Sequence, residues 1–334
     1  MRILLDGMGG DNAPAEIVKG AVEALAECDY DITIIGREED IYTQLEKYTY
    51  DEDRITVVNA TQVIENEDSP VKAVRRKQDS SMVKALNMLK EGKGDVLVSA
   101  GNTGAYMAGS LFILGRIPGI ERPAIASIYP IIGGDTSLIV DAGANSECKP
   151  RNLLDFGIMG SIYMEKVLGR RKARVGLVNL GVEENKGTAL TKEAFQLLKE
   201  SDLNFVGNVE AREVPRGACD VIVCDGFTGN VILKLTEGFA LNILKVLKKK
   251  LTEGLTTKMG ALLVKGKMKE LATDFNYEEY GGAPILGVNG HVVKTHGSAK
   301  AYAVKQTILK AGIYAHQNVV EQITTAMEEL ELAE

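Results

Sequence analysis

One phrase occurs twice in this chain. Residues 95–104 read DVLVSAGNTG and residues 220–229 read DVIVCDGFTG. Each copy is an Asp, a short β-branched run and a Gly-x-Thr-Gly turn that opens into an apolar segment. A strand that ends in glycine and feeds a helix is the unit of a parallel sheet covered on both faces. Two copies imply two related halves that present the same device to whatever lies between them.

The rest of the sequence follows the same alternation. Strand-length apolar runs occur at 3–5, 31–35, 55–58, 95–99, 137–140, 174–179, 203–206 and 220–224. Helix-period segments occur at 14–26, 80–90, 152–167, 190–199 and 298–310, and 101–115 reads as a buried helix. Pro14 suits a first helical turn, and Gly92 falls where the helix from Ser80 should stop. The pattern predicts an α/β sandwich whose central strands are largely parallel. No Pro- or Ser-rich linker separates the halves, so residues 1–334 are expected to form one integrated unit. With 334 residues, 45% of them hydrophobic, the chain can bury an ordinary core without staples. A net charge of −7 argues against nucleic acid as a partner. Cys28, Cys148, Cys219 and Cys224 form no Cys-x-x-Cys pair, and the start MRILLD meets an Asp too soon for a signal peptide. Both point to the cytoplasm.

In open α/β sheets ligands bind beyond the carboxyl ends of the strands, and the Gly-rich turns lie there. They are Asp6-Gly-Met-Gly9-Gly10, Gly101-Asn102-Thr103-Gly104, Asp141-Ala-Gly-Ala-Asn145, Asn179-Leu-Gly-Val-Glu183-Glu-Asn-Lys186-Gly187 and Gly226-Phe-Thr228-Gly229-Asn230. Glycine admits close backbone approach, and a helix N-terminus favours an anion. Any one loop alone is better read as a plain tight turn. Five at equivalent strand ends point to a phosphate-sized ligand.

Other chemistries lack their motifs. Asn12 stands where the dinucleotide fingerprint needs its third glycine, and the second strand, ITIIGRE, has no acidic residue at its end. The stretch 181–188 resembles a P-loop with its Lys and Gly reversed. There is no Gly-x-Ser-x-Gly elbow and no His/Cys spacing for zinc.

Cationic candidates remain. SPVKAVRRK (69–77) sets Lys72, Arg75 and Arg76 on one helical face, either a solvated basic surface or an anion contact. His316 lies in a C-terminal helical run and reads as structural. His291 and His296 lie in GVNGHVVKTHGS, where a strand passes Lys294 and runs into Gly297-Ser298 at a helix start. A His beside a Lys at that place can meet an anion. Between Lys234 and Lys269 nine lysines face only Glu237 and Glu253, a local +7 in a chain of net −7. Phe239, Ile243, Val246, Leu247 and Leu251 recur at helical spacing, and Met259 and Leu262-Leu263-Val264 follow Gly254. A Lys-rich helical hairpin is expected over about 230–270. Its first helix suits a homodimer interface, and its tip, 254–269, suits an acidic carrier protein or an anionic membrane surface.

Taken together, DGMGGDNAP, SPVKAVRRK, SAGNTGA, DAGAN, NLGVEENKG, CDGFTGN and KTHGSA, in this order over residues 1–310, resemble bacterial phosphate acyltransferase, the PlsX family of phospholipid synthesis. Ala142 and His291 depart from the family's usual residues. The resemblance implies the three-layer α/β/α fold shared with isocitrate and isopropylmalate dehydrogenases and phosphate acetyltransferases. Two intertwined lobes, about 1–100 plus 283–334 and 101–282, would flank an active-site cleft. It implies transfer of a fatty acyl group from an acyl-carrier-protein thioester to inorganic phosphate, with no cofactor and no metal. Carrier protein and a downstream acyltransferase are the implied partners. Lys72, Lys186 and His296 are the catalytic candidates, with Asp6, Gly9, Gly10, Asn102, Thr103, Gly104, Asn145, Glu183, Gly226, Thr228, Gly229, Asn230, Lys294 and Ser298 around the substrates. Thr103, Thr228 and His296 should meet in one cleft. The rival readings are a phosphate acetyltransferase-like enzyme acting on acyl-CoA, a metal- and NADP-dependent dehydrogenase of the same fold, and a phosphate-binding module without chemistry.

Overall fold

A computed structural model describes residues 1–274 and 280–333. Its strands are β1 (Arg2–Asp6), β2 (Asp31–Gly36), β3 (Ile55–Asn59), β4 (Val96–Ser99), β5 (Ala124–Ile131), β6 (Asp135–Val140), β7 (Val175–Asn179), β8 (Phe205–Glu210), β9 (Val221–Val223), β10 (Ala283–Leu286) and β11 (Val292–Lys294). They join in one sheet ordered β3-β2-β1-β4-β11-β10-β5-β6-β9-β7-β8. The helices are α1 (Ala15–Leu25), α2 (Glu38–Leu45), α3 (Pro70–Arg76), α4 (Ser81–Lys90), α5 (Thr103–Gly109), α6 (Pro150–Lys166), α7 (Ala189–Glu200), α8 (Gly226–Thr252), α9 (Leu255–Asp274), α10 (Ala301–His316) and α11 (Val319–Ala333). Residues 275–279, within the expected second lobe, lie outside the described residues.

The period-2 alternation of the strands sorts the core into two faces. Ile3, Leu5, Val96, Val98, Leu138, Val140, Val221 and Val223 pack with residues of α1, α6, α7 and α10. Leu4, Leu97, Ile139 and Ile222, their neighbours in sequence, pack with α3, α4 and α5 on the other side. Strands buried on both faces between helical layers make a three-layer α/β/α sandwich.

The middle of the sheet differs from expectation. The outer strands pair in parallel, but β11–β10, β10–β5 and β5–β6 are antiparallel. The reason is local. Only residues 132–134 separate β5 from β6, and Gly133 and Gly134 take φ of +110° and +84°. So short a connection can only reverse the chain. Sequence reading missed β5 because Pro130 interrupts its run, and it missed β10 because only four residues follow Gly281-Gly282. The antiparallel seam lies between the two parallel sets of strands.

The Lys-rich segment forms α8 and α9, joined at Glu253-Gly254. Leu235, Phe239, Leu241, Ile243 and Val246 of α8 and Met259, Leu262 and Leu263 of α9 are exposed, Leu263 at 88%. Among the described residues no helix is long and apolar enough to cross a membrane.

Candidate active site

Two buried aspartates organise the strand ends. Asp6, at the end of β1, accepts hydrogen bonds from Ser99 Oγ at 2.7 Å and from the Met8 N–H at 3.3 Å. Burial pushes its carboxyl up from the ordinary range, against these bonds and the charge of Lys294. A Cβ on Gly9 would fall 2.6 Å from Asp6 Oδ2 and from the Gly101 nitrogen. Gly9 is therefore a packing necessity, and Gly10 adopts a φ of +94°. The turn binds to the chain beyond β11: the Asp11 N–H donates to the Gly297 carbonyl at 2.8 Å, and the Asn12 amide donates to the Ser298 carbonyl at 3.0 Å.

Asp141 does the same after β6. Its carboxylate accepts from the N–H groups of Ile125, Gly143, Ala144 and Asn145 and from the Asn145 amide. Burial raises its carboxyl too. Helix α8 starts against this loop, where the Gly226 N–H donates to the Asn145 carbonyl at 2.7 Å. A Cβ on Gly229 would sit 2.0 Å from the Asp141 carbonyl oxygen. No side chain fits there.

The repeated phrase is thus used twice, but not in the same way. In the first copy Asn102 caps α5, accepting the Ala105 N–H at 2.9 Å, so Thr103 is the first helical residue. In the second copy Asp225 caps α8, accepting the Thr228 N–H at 2.8 Å and its hydroxyl at 3.0 Å. The second helix begins two aligned positions earlier, which ties the Thr228 hydroxyl to the Asp225 cap and brings Asn230 to the wall instead.

That wall encloses a cleft of about 340 Å³ over the antiparallel seam. Its lining includes the polar side chains of Thr103, Asn230, Lys234, Glu237, Lys294 and His296 and the apolar ones of Ile125, Ile128, Leu233 and Ala240. Lys294, 9% exposed, donates to the carbonyls of Ala100, at 3.2 Å, and Thr295. Burial lowers its ammonium to about 8, opposed by Asp6 and Asp11, so it remains a cation at neutral pH. His296 is depressed by burial and by the charges of Lys234 and Lys294 and is neutral at pH 7. Its Nδ1 accepts the Ser298 N–H at 3.2 Å and lies 2.7 Å from Ser298 Oγ. A backbone N–H can only donate, so the ring proton sits on Nε2. Two ammonium groups, one of them paired with Glu237, and an imidazole N–H share the cleft with apolar side chains, a lining that accommodates an anion joined to an aliphatic chain.

Several expected site residues lie elsewhere. Lys72 is turned outward because Ala73 and Val74 bury the opposite face of α3. Lys186 and Glu183 are exposed in the β7–α7 loop, where the Lys186 N–H donates to the Glu183 carbonyl at 3.1 Å. Neither lysine lines the cleft, and Thr228 does not either. Asn102 and Asn145 spend their amides on loop carbonyls, Asn102 on Glu65 and Asn66, Asn145 on Pro123. Gly104 is packed against Pro70. Sequence reading overlooked Lys234, which pairs with Glu237 at 2.9 Å across one turn of α8. The signal was present: Asn230, Leu233, Lys234 and Glu237 recur at helical spacing directly after GFTG.

Comparison with known proteins bears on the family and the fold. Residues 1–322 match the family described as "Fatty acid synthesis protein". A phosphate acyltransferase of Alkaliphilus oremlandii is 53% identical over 330 residues, 99% of this chain and 98% of the relative. One of Clostridioides difficile is 49% identical over 323 residues, 97% of this chain and 95% of the relative. Among solved structures, a phosphotransacetylase from Streptococcus pyogenes superposes with a TM-score of 0.63 at 16% identity, covering 95% of this chain and 94% of its own. A 4-hydroxythreonine-4-phosphate dehydrogenase from Klebsiella pneumoniae follows at 0.54 and 13% identity, over 94% of this chain and 99% of its own. These distant structures share the fold. Near-complete coverage at about half identity places the chain in the phosphate acyltransferase family, as an acyltransferase.

Proposed function

We propose that the chain transfers a fatty acyl group from an acyl-carrier-protein thioester to inorganic phosphate, and that the acyl phosphate formed feeds phosphatidic acid synthesis through a downstream acyltransferase. The observation that supports this reading is the cleft itself, which gathers Lys294, Lys234 and His296 with apolar side chains. A phosphate oxygen attacks the thioester carbonyl carbon, the C–S bond breaks, and the thiolate leaves and takes up a proton. Phosphate dianion is nucleophilic enough to need no strong base, so positioning and fixed charge supply the rate. Lys294 and Lys234 hold the phosphate, Thr103 and Asn230 orient it, and the His296 Nε2–H faces the developing negative charge.

The test is direct. Protein, phosphate and acyl-carrier protein are mixed, and acyl phosphate is trapped with hydroxylamine, with acyl-CoA as donor in a parallel reaction. Hydroxamate from the carrier thioester supports the reading; hydroxamate from acyl-CoA alone replaces it with an acetyltransferase-like activity. His296→Ala should lower kcat about a hundredfold, the usual cost of a lost transition-state contact of about 3 kcal/mol. The exposed apolar face of α8 is read as the contact with a second copy, and the tip around Leu262 and Leu263 as a peripheral contact with anionic membrane on the cytoplasmic side.

A further inference from the structure

The basic face of α3 has no part in the cleft, yet it stands at the cleft's edge. Lys72, Arg75 and Arg76 are exposed, and none joins an ion pair among the described residues. The nearest acids in sequence, Asp68 and Asp79, are already paired with Lys77 and Lys84, each Nζ lying 2.5 Å from its carboxylate. Three uncompensated cations on one helical turn are unusual for a chain of net charge −7. They also have apolar company. Phe112, 54% exposed, lies under the Arg75 guanidinium at 5.5 Å, and Val71, one helical turn before Arg75, is exposed. Exposed aromatic and arginine side chains together are the composition of a protein–protein hot spot.

Position links this face to the chemistry. Pro70, the first residue of α3, packs on the α5 start, where a Cβ on Gly104 would fall 2.7 Å from its ring. Gly104 follows Thr103, which lines the cleft. The Asn102 amide ties the same turn to the carbonyls of Glu65 and Asn66, so the face and the cleft edge are held as one rigid piece. The three side chains stand exposed on a helix surface, an arrangement unsuited to enclosing a free phosphate. It suits a row of carboxylates on a facing helix, and its apolar content is too small for insertion into lipid.

We propose that Lys72, Arg75 and Arg76, with Val71 and Phe112, form the docking surface for the acidic carrier protein that delivers the acyl group. The docked carrier would sit beside Thr103, with its thioester arm entering the cleft over the α5 start. Opposite charge would steer the encounter and so make it sensitive to salt. This inference rests on the carrier-borne donor proposed above.

The test compares two donors on the Arg75→Glu/Arg76→Glu variant: acyl-carrier protein and an acyl-pantetheine thioester, which lacks the protein surface. KM for acyl-carrier protein should rise by about tenfold or more, while kcat/KM for acyl-pantetheine stays within about twofold. The wild-type KM for carrier should rise with added NaCl, and that of the variant should not. A carrier whose surface carboxylates are changed to lysines should recover activity on the variant. An unchanged KM for carrier overturns the docking surface while leaving the proposed reaction standing. Equal losses for both donors in a folded variant assign the face to the chemistry instead. Where circular dichroism shows the double variant unfolded, Arg75→Gln/Arg76→Gln gives the same comparison without reversing charge. A wild type that never turns over the carrier-borne donor overturns both the reaction and the docking.

Discussion

Lys294 stays charged at neutral pH in a place that disfavours charge, and this has consequences for both rate and stability. Its ammonium titrates at about 8 in the folded protein, against an ordinary 10.5. If the cation holds the phosphate, kcat/KM should fall on the alkaline side with a midpoint near 8. Lys294→Arg, which keeps its charge, should remove that limb from the pH–rate profile. Stability should respond the opposite way. Below pH 8 the lysine is protonated in both states and the cost of burying it is fully present. Between 8 and 10.5 the folded state releases the proton while the unfolded chain keeps it, so stability rises with pH. Relative to Lys294→Met, the wild type should gain about 3 kcal/mol across that window, read from urea unfolding. A flat difference would mean that the group is not desolvated. Gly229 makes a second point at this scale, since a Cβ there would sit 2.0 Å from the Asp141 oxygen. Gly229→Ala should cost about 3 kcal/mol or more in stability, whereas the same change at Gly238, with open space around it, should gain helix propensity.

At the scale of elements, α8 joins two jobs. Its N-terminal half carries Asn230, Leu233, Lys234 and Glu237 to the cleft, and the rest leads away towards α9 with its apolar residues uncovered. Lysines flanking an apolar tip suit shallow insertion at an anionic surface, with about 1 kcal/mol of attraction per lysine. Leu262→Glu/Leu263→Glu should therefore reduce co-sedimentation with anionic vesicles and leave oligomeric state unchanged. Binding indifferent to both lipid charge and these substitutions would leave the tip without a membrane role. The caps of α5 and α8 show why element starts matter to function. The aligned phrases differ in which residue caps, Asn102 or Asp225, and that difference decides which threonine reaches the cleft.

For the whole molecule, the exposed face of α8 predicts association with a second copy. Phe239 and Val246 lie two turns apart on it, 65% and 58% exposed. Phe239→Asp/Val246→Asp should convert a dimeric sedimentation profile to that of a 36.1 kDa monomer; a wild type already monomeric would refute the contact. The sequence alone determined the α/β alternation, the Gly-rich strand ends and the family resemblance, because these depend on local periodicity and on the backbone freedom of glycine. It also made the helical hairpin legible, since nine lysines and a spaced apolar set within one segment need no tertiary information. The antiparallel seam of β11, β10, β5 and β6 was decided by tertiary structure, since β10 pairs with strands distant in sequence and Pro130 masks β5. So was the membership of the cleft. Lys72 and Lys186 belong to family motifs just as Thr103 does, but the burial of Ala73 and Val74 on α3 and the exposed β7–α7 loop send them elsewhere. Motifs identify loops; which side chain of a loop meets the ligand depends on how each helix is rolled against the sheet, and packing on both faces of that sheet sets the roll.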